Sequence, residues 1–480
     1  MEFVSKINAS LNAFVWGIPM LLLIMGTGIY FTLRTGWLQF GRFPLVMKKI
    51  FQSFRPQSTR DKGAVSPFQA VSTALAATLG TGNIAGVAGA IALGGPGAVF
   101  WMWVSALFGM ATKYAEVLLA IRFRKRNEKG DWVGGPMYYI TRGLGENWRW
   151  LAVLFSCFGA IAAFGIGNMA QMNTISTAVM SLLNSFHPDP AAIAASAPGI
   201  KLTAGILVAL VSALVILGGV RRIGEITEKL IPLMSALYLV GAFVVIFVNI
   251  DKLLPVLSMI VEGAFRPEAV TGGAAISMLL SMQRGIGRGV FSNEAGMGSA
   301  PIAHAAANTK SPVEQGFFGI FEVFADTIVI CTVTALVILM GLSDISYGQN
   351  AGAELTVRAF ATVFTDKGAS AIVAVGILFF AVATIFSWSL YGTRCCEFLF
   401  GPRSTKPYQL LFLGFTVLGA TMEMGLVWEI ADTLNGLMSI PNLIAILALS
   451  GTVAQLTREY FYGRRPTRPR RIVVLFPKRR

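Results

Sequence analysis

Apolar runs long enough to cross a lipid bilayer recur along the whole chain, and they restrict its possible folds more than any other feature. A transmembrane α-helix needs about 20 consecutive, mostly apolar residues. Only 13% of the 480 residues are charged, whereas a typical soluble protein has about 25%. We therefore predict an all-α polytopic membrane protein with eleven transmembrane helices, at approximately 11–33, 64–92, 97–121, 150–183, 201–220, 228–249, 270–300, 313–341, 368–394, 407–425 and 428–455.

Lysine and arginine are concentrated in alternate loops, which predicts the orientation of these helices because cytoplasmic loops carry the excess of basic residues. Thirty of the 39 basic residues fall in one set of loops and in the C-terminal tail, and six fall in the opposite set. This predicts a multi-pass protein with the N-terminus outside and the C-terminus cytoplasmic. We expect it in the plasma (inner) membrane of a prokaryote. The basic tail then lies near anionic lipid, and we expect no nucleic-acid partner.

Two of the predicted helices contain glycine-rich interruptions. The helix at 64–92 has Gly80, Gly82 and Asn83 at its centre, where each glycine costs roughly 1 kcal/mol relative to alanine. The helix at 270–300 contains the sequence SMQRGIGRG at 281–289. In lipid, backbone leaves the helix only where it lines a cavity or is buried in protein, so we expect both helices to break at mid-membrane. The alternative for the first is a packing face, since Gly82 and Gly86 form a small-xxx-small pair.

Without the first helix, the other ten divide into two groups of five, and each group begins with an interrupted helix. Because five is odd, the second group enters the membrane from the opposite side. Paired interruptions in such an inverted repeat indicate the binding site of a transporter. The predicted units are an extra N-terminal helix and cytoplasmic loop at 1–63, a first repeat at 64–249, an outer connecting segment at 250–269, a second repeat at 270–455 and a basic cytoplasmic tail at 456–480.

An unwound helix offers free backbone groups to both ends of a zwitterionic amino acid. The amides from Gly82 to Ile84 suit its carboxylate. Carbonyls near Ala77, Thr78 and Ser281 suit its ammonium group.

Side chains in two other helices extend this predicted site. Sodium prefers several hard oxygen ligands, and the hydroxyl of Thr384 would complement the carbonyls of the first break. Alternatively, Thr384 and Ser387 only bond to the preceding helical turn. Gln171 is a further mid-span amide, which taken alone is more often a link between helices than a ligand.

Charged residues inside the predicted spans are costly and are by default functional or paired. We predict a local ion pair between Lys113 and Glu116 at a gate or interface, with solubilisation of the helix end as the alternative. An inner-gate network is predicted from Arg284, Arg288, Glu294, Glu322 and Asp326, with Glu294 as a partner of Arg288. The two histidines, His187 in an outer loop and His304 just past a span, are not placed for a proton relay, which favours sodium over protons.

Four segments resemble the signature of the alanine/glycine:cation symporter family. They are TGNIAG at 81–86, GGPGAVFWMW at 94–103, GMATKYAE at 109–116 and FSNEAGMGSAP at 291–301. The resemblance covers nearly the whole chain. It implies a LeuT-type core with a five-plus-five inverted repeat and one extra N-terminal helix, sodium as the coupling ion and a small neutral amino acid as substrate. Alanine and glycine are the expected substrates, with D-alanine and serine as further candidates.

The resemblance also implies site residues in this chain. The substrate contacts of the family fall on Thr81, Gly82, Asn83, Phe164, Gln171, Met282, Gln283, Gly285, Thr384 and Trp388. By superfamily analogy, one sodium site uses the carbonyls of Ala76, Leu79 and Ala381 with the hydroxyl of Thr384. Ile385 departs from the pattern, because a second hydroxyl often occupies that position, and Ser387 is the substitute. Bulky Phe164, Met282 and Trp388 would leave room for a methyl-sized side chain.

Other classes of protein fit the sequence less well. A membrane-embedded enzyme would need histidine-rich metal ligands or paired aspartates at membrane depth, and a channel would need symmetry around a pore. The expectation is therefore a monomeric secondary transporter with no catalytic residues and no cofactor beyond sodium. A proton-coupled amino-acid transporter of the same fold is the main alternative.

Overall fold

The computed structural model describes residues 2–53, 63–187, 189–271, 276–349, 351–422 and 425–463. The predicted basic tail beyond residue 463 therefore lies outside the described residues. In this part of the chain nearly all secondary structure is helical. The first half contains α1 Glu2–Val15, α2 Ile18–Arg34, α3 Leu38–Gly41, α4 Phe43–Ser53, α5 Pro67–Thr78, α6 Ala85–Gly94, α7 Gly97–Phe123, α8 Pro136–Tyr139, α9 Arg149–Phe164, α10 Ala170–Phe186, α11 Pro190–Ile216 and α12 Gly219–Val248.

The second half contains α13 Leu253–Phe265, α14 Pro267–Val270, α15 Met278–Asn293, α16 Ala300–His304, α17 Pro312–Val323, α18 Thr332–Gly341, α19 Ala353–Ala361, α20 Asp366–Phe400, α21 Thr405–Thr421, α22 Gly425–Ala448 and α23 Ser450–Tyr462. Short 3₁₀ turns occupy Thr81–Asn83, Glu146–Trp148, Ile250–Lys252 and Pro402–Ser404, and π-helical turns occupy Ile140–Leu144, Gly165–Met169 and Phe324–Cys331. The strands β1 Lys125–Arg126 and β2 Trp132–Val133 form one antiparallel pair.

Eight helices of the described residues are long and apolar enough to cross a membrane. They are Lys6–Arg34, Gly97–Phe123, Glu146–Phe186, Ala191–Ile216, Gly219–Val248, Pro312–Gly341, Asp366–Phe400 and Glu429–Ala448. They coincide with eight of the eleven predicted helices, so the prediction of a polytopic helical membrane protein is confirmed. The other three predicted helices correspond to shorter elements, namely α5 with α6, α15 with α16, and the 17-residue α21, and the count of eleven stays a prediction.

Large apolar side chains face outward on α11 and α12. Leu214 and Phe247 are 76% and 68% exposed. Apolar surface of this extent marks a face that contacts something other than water, and on helices of this length and hydropathy the partner is lipid.

The first predicted interruption is present. α5 begins at a capping box in which the Ser66 hydroxyl accepts from the amide of Gln69 at 3.0 Å, while the Gln69 side chain accepts from the amide of Ser66 at 3.0 Å. α5 ends at Thr78, and helix resumes at Ala85 after a 3₁₀ turn. The helix is thus divided into two halves of 12 and 10 residues.

The second predicted interruption is wrong in position, because residues 281–289 lie inside the continuous helix α15. Two of its three glycines serve helix packing. A Cβ at Gly285 would lie 2.3 Å from the carbonyl oxygen of Ala98 on α7. A Cβ at Gly289 would likewise lie 2.4 Å from the hydroxyl of Ser105. Small residues at this spacing let two helices approach closely. The predicted free carbonyl near Ser281 is also wrong, because it lies within the helical hydrogen-bond ladder.

The chain leaves the helix after Asn293 instead. Glu294 adopts a left-handed conformation with φ of 54°, which is uncommon for a residue other than glycine. The non-helical residues 295–299 then lead into α16. The real interruption lies at 294–299, closer to the end of the span than the sequence predicts.

The long helix α7 packs against α15 on one side and α17 on another. Gly316 and Gly319 of α17 allow this second approach, because a Cβ at Gly316 would lie 2.7 Å from the ring of Tyr114 and one at Gly319 would lie 2.9 Å from the carbonyl oxygen of Lys113. The close approach brings ionisable side chains of α7 and α17 together in the interior.

Candidate functional site

The hydrogen-bond ladder of α5 is interrupted at Gly80. The amide of Gly80 donates to the carbonyl of Thr78 at 2.9 Å and to Oδ1 of Asn83 at 2.9 Å, so it does not serve the carbonyl of Ala76 as it would in a continuous helix. The carbonyl of Ala76 accepts instead from the hydroxyl of Thr384 on α20, at 3.0 Å. An unwound turn of α5 and the middle of α20 are therefore in direct contact.

Two oxygen atoms of the predicted sodium site, the carbonyl of Ala76 and the hydroxyl of Thr384, meet at this contact. The Thr384 hydroxyl, in a residue that is 2% exposed, lies 3.0 Å from the carbonyl oxygens of both Ala76 and Phe380. Among the described residues, no hydrogen bond is donated to the carbonyl of Leu79. Hard monovalent and divalent cations are held by such groups of carbonyl and hydroxyl oxygens. The arrangement suits an ion ligand set, and Ala381 lies one turn before the hydroxyl on the same helix.

Gln171 lies at the same place. A Cβ built on Gly80 would lie 2.8 Å from the Thr384 hydroxyl and 3.8 Å from Oε1 of Gln171. The amide nitrogen of Gln171 donates to the carbonyl of Ile166 at 3.1 Å, in the π-helical turn Gly165–Met169. Its Oε1 is buried and has no hydrogen-bond partner among the described residues, which is costly unless a ligand or water completes it.

The side chain of Asn83 bonds the unwound turn to neighbouring elements. Its Oδ1 accepts from Gly80, and its Nδ2 lies 2.6 Å from Oδ1 of Asp326 and 3.1 Å from the hydroxyl of Ser292. The Ser292 hydroxyl also donates to Asp326 at 3.0 Å. Both ends of the Asn83 amide are therefore used by the protein, which makes this side chain a structural link between the break, α15 and the π-helical turn Phe324–Cys331.

The backbone of the 3₁₀ turn faces α15. A Cβ on Gly82 would lie 3.7 Å from the ring of Phe291 and 3.8 Å from Cα of Ser292. Thr81 is 5% exposed. Two of the three predicted anion-binding amides already have partners, since Asn83 donates to Gly80 and Ile84 donates to Thr81, both at 3.3 Å.

The predicted aromatic contacts lie in two places. The indole of Trp388 donates to a carboxylate oxygen of Glu294 at 3.1 Å, and the close approach of its ring leaves no room for a side chain at Gly167. Phe164 packs among aromatic rings of α21, at 4.8 Å from Tyr408 and 4.8 Å from Phe415 between ring centroids.

The residues predicted from 281–289 lie on different sides of α15. Gly285 faces α7, as described above, and Met282 is partly buried against the core. The side-chain amide of Gln283 donates to the carbonyl of Trp16 at 3.2 Å. These contacts follow from the continuity of α15, whose successive residues point to different sides.

Arg284 and Arg288 do not join the predicted inner-gate network, and this prediction is wrong. Together with Asp432 of α22 they line a cavity of about 270 Å³ beside α1. The guanidinium of Arg288 lies over the ring of Phe291 at 5.6 Å. Among the described residues, no ion pair joins Arg288 to Glu294, whose carboxylate instead accepts from Trp388 and from the hydroxyl of Ser299.

The predicted pair of Lys113 with Glu116 is also wrong. The ammonium group of Lys113 lies 3.2 Å from Oε1 of Glu322, and both side chains are fully buried. Glu116 turns to other groups, because its Oε1 accepts from the amide of Gly298 at 3.0 Å and from the side-chain amide of Asn442. Residues three apart on one helix can reach each other, but the approach of α17 gives Lys113 a better partner.

The sequence predicts that His304 lies just past a span on the inner side and is not well placed for a proton relay. It is instead fully buried, and its Nε2 lies 3.2 Å from Oε2 of Glu322. The sequence feature that could have indicated a buried contact of this kind is Glu322, an acidic residue within an apolar span. Its partners on α7 and α16 are distant along the chain and become visible only when the helices are assembled.

Comparisons with known proteins were made over the full sequence. The profile of the "Sodium:alanine symporter family" matches residues 1–471. AgcS of Methanococcus maripaludis, named a sodium/alanine symporter, is 44% identical over 469 residues, covering 96% of this chain and 98% of AgcS. An uncharacterized transporter of Haemophilus influenzae is 44% identical over 460 residues, covering 95% and 96%. GlnT of Bacillus subtilis, named a probable sodium/glutamine symporter, is 38% identical over 453 residues, covering 94% and 89%.

Proposed function

The chain belongs to the sodium:alanine symporter family, and from this premise we propose that it imports alanine and glycine together with sodium by alternating access. Sodium-coupled symport of an amino acid is the activity that the family and the relative AgcS support. D-alanine and serine are further candidate substrates. Glutamine joins them as an alternative, because a relative of 38% identity is named for it.

The observation that carries this proposal is the contact between the unwound turn and α20. The carbonyl of Ala76 has left the helical ladder and lies 3.0 Å from the Thr384 hydroxyl. In our proposal sodium is held by the carbonyls of Ala76, Leu79 and Ala381 with the hydroxyl of Thr384. Ser387, whose buried hydroxyl has no partner among the described residues, is the proposed substitute for the hydroxyl absent at Ile385.

The amino acid is proposed to bind beside this ion. Its carboxylate faces the backbone of the 3₁₀ turn at Thr81 and Gly82, where the start of a helical segment favours negative charge. The unpartnered Oε1 of Gln171 accepts from its ammonium group. Trp388, Met282 and Phe164 limit its side chain to about the size of a methyl group.

The remaining parts of the proposal concern architecture. We propose eleven transmembrane helices in a LeuT-type inverted repeat of 64–249 and 270–455, with the N-terminus outside and the C-terminus in the cytoplasm of a prokaryotic cell. The cavity that Arg288 and Asp432 line is then an entrance on the outer side. The carrier is proposed to act as a monomer. The two segments that interrupt α-helix, at 79–84 and 294–299, flank the region that would open alternately to the two sides of the membrane.

Uptake of labelled alanine into vesicles containing the purified protein tests this function. An inward sodium gradient should drive accumulation, and replacing sodium with potassium on both sides should abolish it. A proton gradient alone that drives the same accumulation would favour the proton-coupled alternative. Ion flux without substrate would favour a channel, and an absence of any accumulation would refute the proposal.

Substrate choice is tested by competition. Unlabelled alanine, glycine, serine, D-alanine and glutamine are each added to the sodium-driven uptake of labelled alanine. We expect strong competition by alanine and glycine and weak competition by glutamine, because a longer side chain would meet Trp388 and Met282. Equal competition by glutamine would refute the size argument while leaving sodium coupling in place.

A further inference from the structure

A cavity of about 970 Å³ lies between α10, α11, α12 and α20. These helices belong to four of the eight segments that are long and apolar enough to cross a membrane. Of the 17 residues that line the cavity, only Ser196 and Thr203 have polar side chains, and the Thr203 hydroxyl donates to the carbonyl of Gly199 in its own helix at 2.8 Å. The cavity therefore offers almost no free polar group to an occupant, and none of its lining residues belongs to the proposed sodium or substrate site.

The cavity has the form of a groove that is open at the lipid-facing surface. Leu207 of α11 lies at its rim and is 58% exposed, whereas Ile175 of α10 and Phe386 of α20 lie at its floor and are buried. The close contact of α11 is made elsewhere, with α21, where a Cβ at Gly205 would lie 2.6 Å from Cβ of Ala420. The groove thus reaches from the molecular surface into the space between the helices.

The groove is long enough to hold the chain of a lipid. Its lining residues on α11 run from Ser196 to Val215, which is about 28 Å of helix at 1.5 Å per residue. The hydrocarbon core of a bilayer is about 30 Å thick. An acyl chain that lies along α11 can therefore stay in contact with the groove over its whole length.

The chemistry of the lining decides which occupant fits. A buried water molecule needs several polar partners, and an amino acid needs partners for both of its charges, so neither suits these walls. Left empty, the space would cost its walls their dispersion contacts. Lipid chains are as apolar as leucine side chains, so a chain from the bilayer fills the groove without desolvation of polar groups.

Basic side chains lie at one end of the groove. Arg222, Ile226 and Leu230 are spaced by four residues and form one row along α12, and the last two of them line the groove. Arg221 and Arg222 share the carboxylate of Glu225, at 3.7 and 3.8 Å. All three charged side chains are exposed, and together they leave one positive charge where the row ends.

The next residues of α12 do not cancel this charge. Glu228 and Lys229 carry opposite charges and interact with each other, so residues 221–229 hold three basic side chains against two acidic ones. Basic residues beside a membrane-spanning helix attract anionic lipid. A zwitterionic lipid brings no net charge to this place.

We propose that this groove is a binding site for an anionic phospholipid, with one acyl chain along α11 and the phosphate beside Arg221 and Arg222. The chain contacts four helices there, whereas lipid on the convex surface of α11 or α12 contacts one or two. The site goes beyond the proposed transport function and does not depend on it.

The test uses the purified protein in phosphatidylcholine vesicles that contain a small fraction of phosphatidylglycerol with a photoactivatable diazirine in its acyl chain. After illumination, mass spectrometry of the digested protein locates the lipid adducts. We expect them to concentrate on groove residues such as Leu207 and Val382, and Leu207→Trp, which fills the groove, should reduce them several-fold. Ile206→Trp is the matched control and should keep the original pattern, because Ile206 is also exposed but lies about 100° further round α11, outside the groove.

Two outcomes would overturn the proposal. One is a spread of adducts in proportion to exposure, with as many on Phe247 of α12 as on Leu207. The other is a dimer without bound lipid in native mass spectrometry, because a second copy of the chain would then cover the groove. The adduct pattern of the unmodified protein decides between these results even if a variant fails to fold.

The choice of headgroup is measured by competition of unlabelled phosphatidylglycerol and phosphatidylcholine against the labelled lipid. One basic side chain near anionic lipid corresponds to a roughly five-fold difference in affinity, so we expect phosphatidylglycerol to compete about five-fold better. Arg221→Gln combined with Arg222→Gln should remove this preference. Arg149→Gln should keep it, since Arg149 has a comparable exposed ion pair with Glu146 at 3.8 Å.

Equal competition by the two lipids in the unmodified protein would overturn the proposal. The assay measures lipid binding and needs no transport. A failure of alanine uptake would therefore refute the proposed function and leave the result for the groove unaffected.

Discussion

Replacement of Thr384 by alanine isolates the contact on which the proposed ion site depends. The hydroxyl of Thr384 makes one bond within its own helix, to Phe380 at 3.0 Å, and one bond across to the unwound turn, to Ala76 at 3.0 Å. The alanine variant loses both. Ala76 is fully buried, and its carbonyl is then left without this partner. The proposed sodium ion also loses one ligand.

The expected size of the effect follows from the burial of that carbonyl. Leaving a buried acceptor unsatisfied costs about 1–3 kcal/mol. If the loss of the ligand weakens sodium binding by the same amount, the sodium concentration for half-maximal uptake rises roughly 5- to 140-fold, since each 1.4 kcal/mol is a factor of ten. The stabilisation that sodium adds to the purified protein should fall in parallel. A ligand that binds more weakly raises the free energy of unfolding by less at the same concentration.

The assay measures alanine uptake in vesicles as a function of sodium concentration, together with thermal unfolding with and without sodium. Thr384→Ser keeps the oxygen and should stay close to the original protein. Thr416→Ala is the matched control, because Thr416 is fully buried and its hydroxyl bonds to Phe412 in its own helix at 3.2 Å. An unchanged sodium dependence in Thr384→Ala, or an equal change in Thr416→Ala, would refute the ion site.

Three further predictions follow from the packing. Gly285→Val should lower the yield and the thermal stability of the folded protein, because its Cβ would lie 2.3 Å from backbone. Gly287→Ala should be tolerated in the same unfolding assay, because Gly287 has open space around it. Met282→Ala should let serine and larger amino acids compete more strongly for alanine uptake, and an unchanged competition panel would contradict a role in substrate size. Lys113→Met should destabilise the protein by about 3–5 kcal/mol because it removes the lysine partner of the buried Glu322 carboxylate. Combining it with Glu322→Gln should recover part of the loss. A thermal unfolding temperature that is no higher in the double variant would show that the pair is not coupled.

The interruption of the first long helix was predictable because its cause is local. Gly80 and Gly82 weaken the helix wherever it lies, and Asn83 supplies an amide that caps the freed backbone at Gly80. The contact of Thr384 with this turn agrees with the resemblance to the alanine/glycine:cation symporter family, which implies that both belong to one site. The hydroxyl also bonds back to Phe380, so the local alternative is present for Thr384, and its role as a ligand stays a prediction.

The second glycine cluster shows where local reasoning stops. Glycine at 285 and 289 is compatible with a broken helix or with a packing face, and only the position of α7 decides between them. Because α7 approaches to within van der Waals contact, the helix stays continuous and the break moves to 294–299. The arginines of α15 are then directed to a cavity with Asp432, away from the acids with which the sequence grouped them.

The sequence by itself therefore determined the class of the protein, eight of its candidate membrane helices and the first unwound turn, because length, hydropathy and backbone preference act within a single segment. The tertiary structure alone decided the partners of the buried charges. Lys113 bonds to Glu322 and not to Glu116, and Glu322 also bonds to His304, because three helices distant along the chain converge there. In a medium that offers no water, a buried charge takes the partner that assembly places nearest, and neighbours along the chain do not reveal which one that is.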